Sequence, residues 1–346
     1  MGEKKKLLGL SLEQLKELVL QEGLPAFTAK QLASWLYTHK VSSFDEMTNL
    51  SKQARQKLAE RYEVGLTKYS ACFTSKDGTK KYLFPVREGE VVEAVMIPDG
   101  DRATLCVSSQ AGCKMGCRFC MTGRGGWHGN LSAADILSQF FAIDEAAVLT
   151  NAVFMGMGEP FDNYEVVSSV LTVLTADWGL AWSPKRITVS TIGVLPVLKR
   201  FLDEHKCHLA VSLHNPFPQE RAEMMPVQKA WDIKEILSLI RTYDFTGQRR
   251  VSFEYTMFAS WNDDKRHADA LARLLRGLEC RVNLIRFHKI PDFPYSTTPD
   301  VVMEAFKNRL IANGITTTIR SSRGEDIFAA CGLLAGEHKV KTLSSK

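Results

Sequence analysis

Several features are missing from this 346-residue chain, and each absence excludes a class of protein. No apolar run approaches the roughly 18 residues that a membrane span needs. The apolar stretch after the charged first residues, 7–10, is too short for the core of a signal peptide. Internal repeats and low-complexity tracts are also missing. We therefore expect neither a membrane protein nor a disulfide-stapled secreted domain, and the eight cysteines then indicate a reducing cytoplasm.

A large excess of charge of one sign is missing too. The formal net charge is +5, and 45% hydrophobic with 24% charged residues is the composition of an ordinary soluble protein. Basic residues nevertheless cluster, among other places, at 80–81, 199–200 and 249–250, and at Arg320 with Arg323. On charge alone, solvated surface faces are the favoured explanation of such clusters, and a nucleic-acid partner is compatible with them.

The most informative pattern is the triplet Cys113, Cys117 and Cys120, spaced C-x3-C-x2-C after a strand-like stretch at 104–108. Three thiolates can hold three corners of a [4Fe-4S] cluster, which normally takes four cysteines. One iron would then be open to a small molecule, which indicates redox chemistry. A zinc site completed by His128 and a chance spacing are the alternatives.

The chain divides into four predicted parts. Residues 1–66 carry apolar stripes at helical spacing, such as Leu12, Leu15 and Leu18, and predict an N-terminal helical accessory domain, which could bind a partner or cap the core. Residues 67–98 predict an antiparallel strand extension with turns at 77–78 and 88–89. Residues 99–319 alternate strands with helices, and 320–346 form a C-terminal segment.

The alternating part predicts an α/β fold. Six strands are expected, at 105–108, 152–157, 187–191, 209–213, 251–257 and 282–287. Ser132 with Asp135 forms a capping box that opens a helix over 133–147. Six β-α units make a partial (β/α)6 barrel with a parallel sheet, whose site lies at the carboxyl ends of the strands. The cysteine triplet follows the carboxyl end of the first strand, which is the position expected for the site of such a fold.

The predicted strand ends carry polar residues that could bind a nucleoside amino acid: Gly158, Glu159, Ser190, Ser212, His214 and Asn283. For the glycine-rich end an ordinary turn is the alternative. A satisfied core histidine is the alternative for His214. Cys106, within strand one, and Cys331, between Gly324 and Gly332, are inert thiols by default, and we assign that role to Cys72, Cys207 and Cys280.

Together these residues resemble a known family. The triplet is similar to that of radical S-adenosylmethionine (SAM) enzymes. The closer resemblance is to the RlmN/Cfr group of RNA adenine methyltransferases, and it covers about residues 10–336. It is carried by LCVSSQAGC at 105–113, MGMGEP at 155–160, VST at 189–191, VSLH at 211–214, VNLI at 282–285 and RGEDIFAACG at 323–332.

The resemblance implies a radical SAM barrel, an RNA-binding role for the N-terminal domain (1–66) and a role for each site residue. Cys113, Cys117 and Cys120 would hold one [4Fe-4S] cluster, and the SAM site would comprise Gly158, Glu159, Ser190, Ser212, Leu213, His214 and Asn283. Cys331 would take a methyl group from one SAM, and a radical made from a second SAM would activate that methyl for addition to adenine. Cys106 would then attack the sulfur of Cys331, while Glu93 accepts the ring proton.

The implied substrates are an adenine in the peptidyl-transferase centre of 23S rRNA and the adenine beside the tRNA anticodon. Methylation at C2 is favoured over C8 because the N-terminal region resembles the housekeeping enzymes. We also expect a monomer served by an electron donor such as flavodoxin or ferredoxin. Two other classes stay open: a different radical enzyme, acting on a metabolite or a protein, and a non-catalytic, zinc-stabilised RNA-binding protein.

Overall fold

The computed structural model describes residues 4–87, 89–247 and 249–334. Glu88, at the second predicted turn, and residues 335–346, the end of the predicted C-terminal segment, lie outside these ranges. Within them, every helix is too short or too polar to cross a lipid bilayer.

The N-terminal part is helical, as the apolar stripes predict. Strand β1 (Lys5–Lys6) precedes helices α1 (Leu12–Gln21), α2 (Thr28–Ala33) and α3 (Lys52–Arg61), a π-helical turn Ser34–His39 extends α2, and β2 (Tyr62–Glu63) follows α3. Helix α1 begins at Ser11, whose hydroxyl accepts a hydrogen bond from the Gln14 N–H, while the Gln14 side chain accepts one from the Ser11 N–H. Strands β1 and β2 pair in parallel. The sequence does not predict this pair, because two residues carry no pattern.

Three antiparallel strands follow: β3 (Ala71–Thr74), β4 (Lys80–Arg87) and β5 (Glu90–Asp99). The predicted hairpin turn between β3 and β4 is confirmed. Gly78 adopts a φ of +83°, and the Asp77 carboxylate accepts a hydrogen bond from the Thr79 N–H at 2.9 Å. Because β5 also pairs with the first strand of the α/β part, the extension continues the main sheet.

The remaining elements alternate strands with helices. The strands are β6 (Arg102–Cys106), β7 (Gln110–Gly112), β8 (Trp127–Asn130), β9 (Asn151–Phe154), β10 (Ile187–Thr191), β11 (His208–Ser212), β12 (Val251–Met257), β13 (Arg281–Arg286) and β14 (Thr316–Ile319). The helices are α4 (Met121–Arg124), α5 (Ala133–Phe141), α6 (Tyr164–Thr175), α7 (Leu195–Glu204), α8 (Pro218–Met224), α9 (Ile233–Ile240), α10 (Lys265–Leu275) and α11 (Asp300–Ala312). Short 3-10 turns lie at Phe44–Glu46, Pro160–Asn163, Pro184–Arg186, Pro226–Lys229 and Glu325–Ile327.

In the described part of the chain, ten strands form one sheet in the order β14-β13-β12-β11-β10-β9-β6-β5-β4-β3. The strands from β6 to β14 in that order run parallel. Strands β3 and β14 are edges, so the sheet stays open, as a partial barrel requires. All six predicted strands are present, and β14 is a seventh parallel strand that the sequence does not predict. Its residues, three threonines and one isoleucine, form no apolar run.

The predicted capping box of α5 is confirmed, but the helix is shorter than predicted. The Asp135 carboxylate accepts hydrogen bonds from the Ser132 N–H and hydroxyl, at 2.9 and 2.7 Å. The helix ends at Phe141 instead of residue 147. Beyond it, Asp144 accepts a hydrogen bond from Tyr69 of the antiparallel extension. The chain then continues in turns, in which the Ala146 N–H donates to the Ile143 carbonyl and the Val148 N–H donates to the Glu145 carbonyl.

Candidate active site

The cysteine triplet lies in a loop beyond the carboxyl end of β6, between β7 and α4. The antiparallel pair β7–β8 anchors this loop, and the Cys113 N–H donates to the Gly126 carbonyl at 2.8 Å. Gly112 has a φ of +71°, and a Cβ there would lie 1.9 Å from the Gly126 oxygen. Only glycine fits this approach. Cys113, Cys117 and Cys120 all border one cavity of about 160 Å³, here called the cysteine cavity.

The geometry does not favour zinc. Among the described residues, no group of three or more His, Cys, Asp and Glu is placed to hold a single metal ion. His128, the proposed fourth zinc ligand, lies with Nδ1 2.9 Å from Glu90 and Nε2 3.1 Å from the Gly125 carbonyl, so both ring nitrogens have partners. Three thiols that border a common cavity without converging on one point fit the corners of a multi-iron cluster.

Burial controls the protonation of these thiols. It raises the pKa of Cys113 to about 12, and it raises the pKa of Cys117 well above its ordinary value. Cysteine binds metals as the thiolate, so these two thiols stay protonated at neutral pH unless a cation displaces the proton. The donor set therefore suits a strongly bound cationic group.

Five of the expected SAM-site residues border the same cysteine cavity: Gly158, Glu159, Ser190, Ser212 and His214. Glu159 is buried, and its two carboxylate oxygens accept hydrogen bonds from the N–H groups of Phe161, at 3.1 Å, and Ile192, at 3.0 Å. Burial raises its pKa to about 7 against the lowering effect of these hydrogen bonds. Glu159 therefore ties the ends of β9 and β10 together at the cavity wall, a positioning contact that the sequence does not reveal.

His214 presents a defined ring nitrogen to the cavity. Its Nδ1 accepts a hydrogen bond from the Thr256 N–H at 2.9 Å, so Nε2 carries the proton of the neutral ring. Burial, with the nearby cation Arg221, lowers the pKa of His214 to about 3. The ring packs against Phe119 with centroids 5.0 Å apart. His214 is thus a neutral hydrogen-bond donor at ordinary pH rather than a fully satisfied core histidine.

Two expected SAM-site residues lie apart from the cysteine cavity. Leu213 is fully buried, and its carbonyl accepts a hydrogen bond from Arg221. Asn283 is the third residue of β13, so it lies along the strand and not at its carboxyl end. Its side chain donates to Glu254 at 2.7 Å and accepts from Thr318 at 2.8 Å. It borders a second, larger space.

This second space, here called the basic cavity, has a volume of about 970 Å³. It extends from the amino ends of β10–β14 to Cys106, at the carboxyl end of β6, and Cys331. Cys331 borders both cavities, and so does Arg320. The structure therefore brings both thiols of the expected pair to one space and places Cys331 at the boundary with the cysteine triplet.

Cys106 is half-buried, whereas Cys331 is exposed towards the cavities, and both thiols lie near Arg320. Desolvation by the surrounding protein raises the pKa of Cys106 to about 12 and also raises that of Cys331, while Arg320 lowers both. Arg320 in turn lies 3.5 Å from the buried carboxylate of Glu254. Sequence reasoning counted Arg320 as part of a surface cluster and missed Glu254. No local signal marks such a pair, because Glu254 lies in the middle of β12 and Arg320 follows β14, far apart in the sequence.

Glu93 lies on β5 and is almost fully buried, with an oxygen 3.4 Å from the ammonium of Lys81. Val95, two residues farther along β5, is paired with Cys106 on β6. Residues two apart on a strand share a face, so Glu93 and Cys106 lie on the same face of the sheet. Glu93 borders neither cavity. Lys81 appears in the sequence only as part of a basic cluster.

Comparisons with known proteins agree with both parts of this architecture. Residues 5–64 match the family described as the ribosomal RNA large subunit methyltransferase N-terminal domain, and residues 107–271 match the Radical SAM superfamily. A solved radical SAM methyltransferase from Sphaerobacter thermophilus superposes with a TM-score of 0.90 at 39% identity, covering 95% of this chain and 99% of that one. The fold and site thus define a radical SAM enzyme with an RNA methyltransferase accessory domain.

Curated relatives make the assignment narrower. A probable dual-specificity RNA methyltransferase RlmN from Porphyromonas gingivalis is 60% identical, covering 95% of this chain and 96% of the relative. A dual-specificity RNA methyltransferase RlmN from Syntrophus aciditrophicus is 38% identical, covering 95% of each chain. The chain belongs to the RlmN family of radical SAM RNA methyltransferases. The resemblance read from the sequence is confirmed, and the two other classes left open there are set aside.

Proposed function

We propose that this enzyme methylates C2 of adenine in 23S rRNA, in the peptidyl-transferase centre, and in tRNA beside the anticodon. The observation that carries this proposal is the position of Cys331, which borders both the cysteine cavity and the basic cavity that contains Cys106. The names of the relatives support two RNA substrates. C2 is preferred to C8 because residues 5–64 match the N-terminal domain of the rRNA methyltransferases.

In this proposal Cys113, Cys117 and Cys120 would hold one [4Fe-4S] cluster, and the cysteine cavity would receive SAM. Gly158, Glu159, Ser190, Ser212 and His214 would line the SAM site, with the backbone of Leu213 and the amide of Asn283 farther along the sheet. When bound, cluster and SAM together supply a methyl group, an electron and radical chemistry. The neutral His214 ring donates its Nε2–H to a ligand acceptor.

The chain's own residues do the remaining work. C2 of adenine is electron-poor and cannot attack a sulfonium methyl directly, so the Cys331 thiolate accepts the methyl group first. Arg320 favours that thiolate. After the carbon has been joined to C2, the odd electron of the adduct would return to the cluster. The Cys106 thiolate then attacks the Cys331 sulfur, which forms a Cys106–Cys331 disulfide and leaves the carbon–sulfur electron pair on the released carbon, where a proton completes the methyl group. Glu93 accepts the proton that leaves the ring.

The scheme has two external requirements. A reductant must return the disulfide to two thiols after each turnover, which suits a reducing cytoplasm. An electron donor such as flavodoxin or ferredoxin must deliver the electron. The enzyme acts as a monomer in this scheme, because one chain supplies both cavities and both thiols.

The test is to replace Cys106 with alanine and supply tRNA and an rRNA fragment under anaerobic conditions. Without the second thiol, the RNA should stay covalently bound to the protein through Cys331, and mass spectrometry of the crosslinked peptide locates the link. Cys72→Ala, a thiol deletion on β3 away from both cavities, should turn over normally. Normal turnover of Cys106→Ala without an adduct contradicts the proposal, and 8-methyladenosine in the product of the wild type contradicts the C2 assignment.

A further inference from the structure

The amino ends of the parallel strands carry a row of cations at the far end of the basic cavity. Lys185 and Arg186 immediately precede β10, Arg250 immediately precedes β12, and Arg281 begins β13. We call these four side chains the basic row. All four are exposed and border the basic cavity. Parallel strands place their amino ends on one edge, so the row crosses three strand spacings, or about 14 Å.

The basic row differs from three other arginines around the basic cavity, each of which has an acidic partner. Arg102 and Arg323 both pair with Asp99, and Arg286 pairs with Asp300. Within residues 4–87, 89–247 and 249–334, no acidic side chain pairs with any member of the basic row. Unpaired cations gathered at one edge leave a positive potential that a polyanion can neutralise.

His208 lies within the positive potential of the basic row. It begins β11, between the strands that carry the row, and its Nδ1 accepts a hydrogen bond from the Arg250 N–H at 2.9 Å. Burial and then the charges of the neighbouring cations, with Arg250 first among them, lower the pKa of His208 to about 4. The ring is therefore neutral at ordinary pH, and the positive charge of this edge resides in the permanently charged side chains.

We propose that the basic row binds the phosphate backbone of the RNA substrate, so that the RNA enters from the amino edge of the sheet and its target base reaches Cys331 through the basic cavity. This proposal rests on the proposed RNA methyltransferase activity, and it adds the face of the protein that binds the RNA and the path by which the target base reaches Cys331. A row of cations matches a backbone, whose charges repeat, better than it matches a single anion. The cavity then leads the unstacked base along the sheet to the thiol pair.

An acidic electron-donor protein is the other polyanion that such a surface could bind. The donor has to approach the cysteine triplet, which lies beyond the carboxyl ends of the strands. The basic row lies at the opposite ends, a strand length away, so the geometry favours RNA. The two partners predict different results when the reductant is changed.

The test compares the wild type with the double variant Arg250→Gln/Arg281→Gln. Binding of tRNA and of an rRNA fragment is measured by fluorescence anisotropy over a range of salt concentrations. Two lost contacts to a single strand should lower the slope of log K against log salt by about 1.4, which weakens binding about 25-fold at 0.1 M salt. The matched control Lys234→Gln/Arg273→Gln removes two exposed charges from α9 and α10 that border neither cavity, and should bind like the wild type.

A second readout separates a lost RNA contact from damage to the enzyme. Cleavage of SAM to 5′-deoxyadenosine with dithionite and no RNA should be the same in the wild type and both double variants. Unchanged RNA affinity and salt slope in Arg250→Gln/Arg281→Gln would overturn the proposal. Loss of activity with flavodoxin but not with dithionite would assign the row to the electron donor instead. If the wild type methylates neither RNA, the proposed function itself is wrong, which is a different failure from a basic row that does not bind RNA.

Discussion

Replacing Gly112 with alanine tests whether the close approach of Gly112 to Gly126 positions the loop that carries the cysteine triplet. A Cβ at Gly112 would lie 1.9 Å from the Gly126 oxygen. The Gly112 backbone has a φ of +71°, which is unfavourable for L-residues. The left-handed backbone costs about 1 kcal/mol. Relief of the clash costs about 2 kcal/mol, and the hydrogen bond from Cys113 to Gly126 is worth about 1 kcal/mol. Opening of the β7–β8 pair should therefore become easier by about 4 kcal/mol.

Gly116 supplies a matched control within the same loop. Its φ is +64°, but a Cβ there would meet no atom within 4 Å, so Gly116→Ala carries the backbone cost alone. After anaerobic reconstitution, iron and sulfide per chain should fall sharply in Gly112→Ala and stay near the wild-type value in Gly116→Ala. The global melting transition should persist in both variants, because the change is local. Equal iron content in the two variants would refute the argument that the Gly112–Gly126 contact shapes the site.

Two further predictions concern the loop that carries Cys331. Asp77 accepts a hydrogen bond from the Gly324 N–H at 3.0 Å; burial alone would raise its pKa, but its hydrogen bonds outweigh this and lower the pKa to about 2. Asp77→Asn should therefore lower the free energy of unfolding by about 1 kcal/mol above pH 4, and the difference from the wild type should shrink as the pH falls towards 2. Chemical unfolding of both proteins at pH 7 and pH 3 measures this difference. The same difference at both pH values would contradict the prediction. Arg320→Gln should raise the pKa of Cys331 and slow its methylation at pH 7 about tenfold per pKa unit, and the methylation rate should recover at higher pH. The control Arg323→Gln, which removes a partner of Asp99, should change neither the pKa nor the rate. Peptide mass spectrometry follows the methyl group, and identical pH profiles for the wild type and Arg320→Gln would exclude this role for Arg320.

The fold could be predicted wherever one strand or helix carries its own pattern. The predicted strands at 187–191 and 251–257 coincide with β10 (ITVST) and β12 (VSFEYTM), because apolar residues at every second position mark a strand that turns one face to the core. Strand β14 could not be predicted, because Thr316–Ile319 gains its place by pairing with β13. The π-helical turn Ser34–His39 likewise depends on packing and has no local sign in the sequence.

The candidate site shows the same division between local and distant determinants. The triplet of cysteines, the glycine-rich end at Gly158 and the histidine after β11 lie within short motifs, and the structure brings them to one cavity. The ion pair Lys81–Glu93 joins neighbouring strands, and the pair Arg320–Glu254 joins β12 to the segment after β14, so the spacing of the residues does not reveal either pair. The sequence also does not indicate that Asn283 faces the basic cavity, because its depth along β13 depends on where the strand begins.

The shared border at Cys331 has a kinetic consequence. Its sulfur is reachable from the cysteine cavity on one side and from the basic cavity on the other. The small donor and the large polymer would therefore meet at one atom without using the same doorway. Under the proposed function, neither would have to leave before the other binds, so a long RNA could stay bound while spent SAM is exchanged.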